Sequence, residues 1–142
     1  MVKSTTGVFK LKPHHGGISV PDIEASIAWY QNMLGFTVIK RMNIDAIPAK
    51  IAFMKHGNFC IELFEVPGAS SLPECRRNPN EDLKVHGNKH IAFTVENIYQ
   101  VIAILKKRGV DIAMELTEIG PGEWACFIRD NAGNLIELMS PW

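Results

Sequence analysis

The stretch His90-Ile91-Ala92-Phe93-Thr94-Val95 is typical of a β-strand, and His15-Gly16-Gly17-Ile18-Ser19-Val20 repeats its pattern 75 positions earlier. Successive side chains of a strand point to opposite faces. In both stretches one face therefore carries a histidine followed by small residues, whereas apolar side chains dominate the other. The apolar face suits packing against a helix. The face behind the histidine suits the wall of a cavity.

The similarity extends well beyond these two strands. Glu62 follows His15 by 47 positions, and Glu137 follows His90 by the same interval. A period of 75 residues is longer than the repeats of about 20 to 50 residues that build solenoid proteins. We therefore interpret the chain as two copies of one module. The same shift superimposes apolar positions: Val20 on Val95, Ile23 on Ile98, Ile27 on Ile102, Ile61 on Ile136 and Leu63 on Leu138.

Each copy contains one amphipathic helix. Apolar residues at helical spacing predict the first helix over 23–34, with acidic residues at its start and Gly35 just past its end. The second is predicted over 98–108, where Asn97 can cap the start and Gly109 stops the helix. Each helix therefore has a start signal and a stop signal of its own.

Three strand-like segments follow each helix, so that the module is βαβββ and the fold class α+β. We expect a single domain over 1–142. Its parts are a first module over about 14–66, a linker over 67–88 and a second module over about 89–141. The strands after the helices are predicted over 36–42, 50–55 and 58–66, and over 110–116, 124–129 and 135–140.

Composition favours a small-molecule partner. The 142 residues carry no net charge, so no electrostatic footprint for nucleic acid or an anionic membrane is visible. No apolar run has the length of a signal peptide core or of a membrane span, which predicts a soluble, cytoplasmic protein. Cys60, Cys75 and Cys126 lack CxxC spacing, and we expect ordinary free thiols.

The linker allows two interpretations. It contains prolines, glycines and the adjacent Arg76 and Arg77, and a loop of this length in a compact domain is usually functional or disordered. It can be a flap that brings the arginines toward an anionic substrate, or a solvated crossover between the modules.

Two glutamates are predicted to face the same cavity as the histidines. Glu62 and Glu137 each lie between two apolar residues that face the helices, so their carboxylates point to the opposite side. A carboxylate in such a place normally needs a partner. Together with His15 and His90 they form a set of two imidazoles and two carboxylates, which one shared cation would satisfy.

The donor set suits a divalent ion such as Zn²⁺, Ni²⁺, Co²⁺, Mn²⁺ or Fe²⁺. A single histidine of this kind is more often a core residue whose ring nitrogens are hydrogen-bonded than a metal ligand, and a single glutamate is more often ion-paired. Their repeated spacing favours the metal site. His14 is an alternative first ligand, although the register of 75 selects His15. His56 and His86 fall in predicted turns and are interpreted as surface residues.

Several runs of the chain resemble the vicinal oxygen chelate superfamily, which includes glyoxalase I, methylmalonyl-CoA epimerase, extradiol dioxygenases and bleomycin-resistance proteins. The resemblance covers about residues 14 to 141. The runs are His15 to Asp22, Ile61-Glu62-Leu63, His90 to Val95, and Asp130 with Gly133 to Leu138.

This resemblance implies two βαβββ modules forming a cupped mixed sheet around a divalent metal ion that binds two neighbouring oxygens of a small substrate. The family's ligand positions fall on His15, Glu62, His90 and Glu137, a set similar to that of bacterial glyoxalase I. By the same resemblance Glu137 is the first choice for the catalytic base and Glu62 the second. The activity implied is that of a metal-dependent lyase or isomerase, and homodimerisation is also implied.

Departures from the family pattern bear on the substrate. In bacterial glyoxalase I an arginine and an asparagine hold glutathione, and Ser19 and Val66 occupy those positions here. Epimerase-like members carry glutamine where this chain has Glu62. The alternative functions are an Fe²⁺ extradiol-type dioxygenase and a non-catalytic protein that binds a metal or a drug. Candidate cavity-wall residues, with a core position equally open for each, are Phe53, Cys60, Phe64, Trp124, Cys126, Met139, Met114 and Arg41.

Overall fold

A computed structural model describes residues 7–141, in which the two modules form one four-stranded mixed sheet each. The strand order is β1-β4-β3-β2 in the first sheet and β5-β8-β7-β6 in the second. In each sheet the first strand runs parallel to the last, and the other neighbours are antiparallel. The α+β class and the βαβββ order are therefore confirmed. The strands are β1 His15–Ser19, β2 Thr37–Ile44, β3 Ala49–His56, β4 Phe59–Glu65, β5 Ile91–Thr94, β6 Asp111–Gly120, β7 Glu123–Arg129 and β8 Leu135–Met139.

Both predicted helices are present, and their ends have the predicted caps. Helix α1 spans Ile23–Leu34 and ends at Gly35, whose φ of 77° favours glycine. The helix of the second module, α3, spans Ile98–Lys107 after Asn97, whose side chain accepts a hydrogen bond from a first-turn amide. Cap chemistry thus fixes where the chain leaves each helix toward the next strand.

One hydrophobic core joins the two modules. It contains residues of both helices and of the helix-facing sides of β3, β4, β7 and β8. At its centre Tyr30 of α1 is fully buried, and its hydroxyl donates a hydrogen bond of 2.8 Å to Asp130, in the turn between β7 and β8. Arg108 of the second module donates to the carbonyl oxygen of Met33 in the first. Helix α1 therefore packs across the boundary between the repeats.

The faces of β1 and β5 are divided as the alternation predicts. Ile91 and Phe93 pack against the core, whereas Ala92 and Thr94 are exposed on the other side. Gly17 is likewise exposed, on the face of β1 that continues from His15. These exposed faces are the ones that the sequence predicted to line a cavity.

The linker is more ordered than its composition suggests. It contains a 3-10 turn at Glu74–Arg77 and a short helix α2 at Pro79–Asp82, with Asn78 as N-cap and Pro79 at the first helical position. Within residues 7–141 no helix is long and apolar enough to cross a membrane.

Candidate functional site

The first histidine and glutamate pair forms across two parallel strands. His15 begins β1, and Glu62 lies in β4 opposite Gly17. The Nε2 atom of His15 is 3.1 Å from Oε1 of Glu62. Because the residue between them is small, the imidazole can reach along the strand to the carboxylate. A Cβ at that position would also lie only 3.1 Å from the ring of Phe64.

The second module repeats this arrangement. His90 directly precedes β5, and Glu137 lies in β8 opposite Ala92. Here the distance from Nε2 to Oε1 is 3.2 Å. The side chains of His90 and Glu137 are 24% and 14% exposed, against 32% and 15% for the first pair. Both pairs are thus half-shielded and still reachable from solvent.

An aromatic ring supports each histidine. Phe53 of β3 contacts His15 edge to face with ring centroids 5.3 Å apart, and Phe127 of β7 contacts His90 in the same way at 4.9 Å. Phe127 is absent from the sequence-based candidates because the strand phase in β7 is displaced by one residue. Cys126, proposed there as one of several cavity-wall candidates, lies in the buried core. The matching rings hold the two imidazoles in equivalent positions.

The donor groups fit a divalent ion pair by pair. Two ligands about 2.1 Å from one ion and at right angles to each other are about 3.0 Å apart, close to the separation measured within each pair. The same distance satisfies a direct hydrogen bond between imidazole and carboxylate. Among residues 7–141 no group of three or more His, Cys, Asp or Glu side chains is gathered closely enough to hold a metal. The structure therefore brings the predicted ligands together as two pairs and does not join the pairs.

The remaining histidines lie outside the pairs. The Nδ1 atom of His14 is 2.6 Å from that of His15, with no contact to either glutamate. His56 ends β3 and packs near Phe36, and His86 lies exposed in the linker. Their surface positions agree with the sequence-based interpretation.

The histidines of the two pairs line one shared groove. A cavity of about 970 Å³ is lined by residues 13–19, which include His15, and by residues 86–91, which include His90. Linker residues 70–73 and Arg76 complete its wall. Arg77 instead packs against Gly133, whose added Cβ would lie 3.0 Å from the guanidinium carbon. Of the two linker arginines only Arg76 therefore faces the groove.

This chain belongs to the glyoxalase/bleomycin resistance protein/dioxygenase superfamily. The model of that family matches residues 12–138, which include both histidine and glutamate pairs. The two βαβββ modules agree with this assignment, and the family resemblance inferred from the sequence is confirmed.

Relatives with assigned activities come from more than one branch of the superfamily. Mitochondrial methylmalonyl-CoA epimerase of Homo sapiens is 31% identical over 128 residues, covering 88% of this chain and 71% of that protein. Lactoylglutathione lyase of Schizosaccharomyces pombe is 26% identical over 159 residues, covering 96% of this chain and 50% of that protein. Among solved structures, a glyoxalase family protein from Enterococcus faecalis has a TM-score of 0.77 at 25% identity, covering 91% of this chain and 97% of that one. Homologues of this kind are consistent with a metal-dependent isomerase or lyase.

Proposed function

We propose that the protein is a divalent-metal-dependent isomerase or lyase that abstracts a proton next to a carbonyl of a small substrate. The observation that carries the proposal is the occurrence of two equivalent imidazole and carboxylate pairs, 3.1 and 3.2 Å across, beside one groove. We assign His15, Glu62, His90 and Glu137 as the ligands that would hold the ion. When bound, a divalent ion supplies Lewis acidity to the oxygens of the substrate.

The glutamates supply the base. A carboxylate within reach of the carbon-bound hydrogen removes it and returns it as a carboxylic acid. Glu137 is the first choice, because the family resemblance assigns it this role. Glu62 is the second choice. The imidazoles orient the carboxylates through the contacts between Nε2 and Oε1.

An acyl thioester is the substrate class that we favour. The epimerase relative is 31% identical and the lyase relative 26%. The positions that hold glutathione in the bacterial lyases are Ser19 and Val66 in this chain, and neither supplies a positive charge for a carboxylate of glutathione. A 2-substituted acyl-CoA therefore fits the chain better than a glutathione adduct.

Proton exchange in D₂O tests the proposal directly. The protein loaded in turn with Ni²⁺, Zn²⁺, Co²⁺, Mn²⁺ and Fe²⁺ is mixed with a 2-methyl-branched acyl-CoA or with a glutathione hemithioacetal, and deuterium uptake is followed by NMR. We expect Glu137→Gln to lower the exchange rate by about 10² or more. Glu118→Gln, at an exposed position of β6, is the matched control and leaves the rate unchanged.

Two outcomes would contradict the proposal. Metal binding without exchange on either substrate would favour the alternative of a binding protein, which is then tested by ligand affinity. Oxygen uptake with catechols and Fe²⁺ in place of exchange would favour the dioxygenase alternative.

One ion must reach both pairs, either within one chain or across two chains of a homodimer. Mixing a His15→Ala/Glu62→Gln variant with a His90→Ala/Glu137→Gln variant distinguishes these arrangements. If each site combines the first pair of one chain with the second pair of another, mixed dimers regain one intact site and activity returns. If all four ligands come from one chain, the mixture stays inactive.

A further inference from the structure

We propose that the linker wall of the groove is an anion-binding subsite, in which Arg76 binds an anionic group of the substrate remote from the reacting carbon. This inference rests on the proposed function, because it assigns the subsite to the same substrate. It also concerns a separate set of atoms, since none of the four predicted metal ligands belongs to the linker.

The groove concentrates positive and hydrogen-donating side chains. Besides the two predicted metal ligands His15 and His90, it is lined by His14 and His86 and by the cations Arg76 and Lys89. No aspartate or glutamate is among the residues that line it. The whole chain has no net charge, so this imbalance is local. The two cations Arg76 and Lys89 are balanced by only one buried carboxylate, that of Asp82, and this positive excess favours an anionic ligand.

Arg76 retains donors for such a ligand. Its Nε donates to Asp82 at 3.0 Å, and one Nη2 hydrogen goes to the carbonyl oxygen of Asn88 at 2.8 Å. A guanidinium has five N–H donors. Within residues 7–141 its Nη1 makes no hydrogen bond, so three of the five N–H groups stay available. A planar fork with free donors is the group that proteins use to bind phosphate and carboxylate oxygens.

Lys89 has a different role. Its Nζ contacts Oδ1 of Asp82 at 3.2 Å, the carbonyl oxygen of Asp82 at 2.7 Å and the carbonyl oxygen of Val85. These three acceptors occupy all three hydrogens of the ammonium group. Lys89, just before β5, therefore stabilises the position of the linker and has no hydrogen left to donate to a ligand, whereas Arg76 has.

Asp82 holds the arginine in place. It is 2% exposed and binds both cations at once. Burial raises the pKa of its carboxyl, but the hydrogen bonds from Arg76 and Lys89 lower it by a larger amount, so the pKa is lowered overall. The carboxylate thus stays charged at neutral pH. It fixes the Arg76 side chain before any ligand arrives, which lowers the entropic cost of binding.

Arg77 offers a matched control within the chain. It carries the same charge one position later, packs on Gly133 and lies outside the groove. Replacing it with alanine removes an equal charge from the same segment. Any effect specific to the proposed subsite therefore appears with Arg76→Ala and is absent with Arg77→Ala.

Binding is measured first, without metal or turnover. Isothermal titration of the full chain, stripped of divalent ions with EDTA, uses inorganic pyrophosphate and succinate as separate probes. We expect saturable binding of at least one probe, weakened about 10- to 100-fold by Arg76→Ala, less by Arg76→Lys and not by Arg77→Ala. The preferred probe tells whether the anionic group is a phosphate or a carboxylate. Absence of saturable binding of both probes, or equal weakening by both alanine variants, would overturn the inference.

Exchange kinetics then connect the subsite to the substrate. With a branched acyl-CoA, Arg76→Ala should raise KM and leave kcat within about twofold, because the anionic group contributes binding energy away from the reacting carbon. If the probes identify a phosphate, wild type and variant should have the same KM on the corresponding acyl-pantetheine, which lacks the phosphates. If they identify a carboxylate, the difference in KM should appear with an acyl group that carries a carboxylate and should persist on its acyl-pantetheine. Equal KM values for wild type and variant on an acyl-CoA that carries the identified anionic group would overturn the subsite and leave the proposed function standing. Anion binding without exchange would leave the subsite and remove the proposed function.

Discussion

Removing the hydroxyl of Tyr30 should measure how much one buried hydrogen bond between the two modules contributes to the free energy of unfolding. Tyr30 is fully buried, and its hydroxyl donates to Oδ2 of Asp130 at 2.8 Å. That carboxylate is 4% exposed and also accepts hydrogen bonds from two backbone amides and from the side chain of Asn134. Burial, followed by the charge of Asp130, raises the pKa of Tyr30, so that the phenol stays protonated and remains a donor.

The expected cost of Tyr30→Phe follows from these contacts. A hydrogen bond to a charged, buried acceptor contributes about 1.5 to 3 kcal/mol, and phenylalanine fills the same space apart from the hydroxyl. For 142 residues the entropy of unfolding near Tm is about 0.3 kcal/mol per kelvin. We therefore expect Tm to fall by about 5 to 10 °C. Calorimetry and urea titration at neutral pH measure both quantities.

Tyr99→Phe is the control, because that ring is 64% exposed and its hydroxyl makes no hydrogen bond within the described part of the chain. Its Tm should stay within about 2 °C of wild type, as for surface substitutions generally. If the free energy of unfolding of Tyr30→Phe were within about 0.5 kcal/mol of that of wild type, the buried hydrogen bond would not stabilise the contact between the modules as we infer.

Three further changes test separate features. The pKa of Asp82 is lower in the folded chain than in the unfolded chain, where it is about 3.9, so the carboxylate stabilises the fold above that pH and this stabilisation is lost as pH falls through the folded pKa. Asp82→Asn should therefore make the free energy of unfolding less dependent on pH below about pH 5. Burial, followed by the charge of Glu115, raises the pKa of Cys126 to about 11, so iodoacetamide at pH 8 should label exposed Cys75 and spare Cys126, as mass spectrometry will show. Gly133→Ala should cost about 1 to 3 kcal/mol in urea titrations, because φ there is +94°.

Gly68→Ala is the control for the glycine substitution. Gly68 has a φ of +78° but open space around an added Cβ, whereas at Gly133 the guanidinium of Arg77 lies 3.0 Å away. The additional loss of unfolding free energy at Gly133, relative to Gly68, thus measures the clash of the added methyl group with Arg77, separately from backbone strain. Equal costs at both positions would mean that this contact contributes nothing.

The fold was predictable because its signals repeat. Two histidines, two glutamates and five apolar positions recur at one interval, and helix caps at Asn97, Gly35 and Gly109 fix the boundaries. Alternation on β1 and β5 correctly assigned the face of each side chain. The contact within each histidine and glutamate pair depends on the parallel pairing seen in the structure, which brings Glu62 beside Gly17 and Glu137 beside Ala92; the sequence did not predict this pairing.

What the sequence did not predict depends on irregularities of the backbone. Register shifts interrupt the pairing of β6 with β7, and the side of β7 that faces His90 carries Phe127 where Cys126 was one candidate. The order in the linker depends on Asp82, whose partners Arg76 and Lys89 lie six residues before it and seven residues after it. Neither a helical nor a strand period links such positions. The four proposed ligands as one set stay a prediction.

The hydrogen bond between Tyr30 and Asp130 has a consequence for the ancestry of the chain. Its donor comes from one repeat and its acceptor from the other, so neither half can satisfy it alone. A forerunner that encoded a single repeat would have had to bury this side of its helix against another copy of itself. Joining the two repeats in one chain makes this association independent of protein concentration.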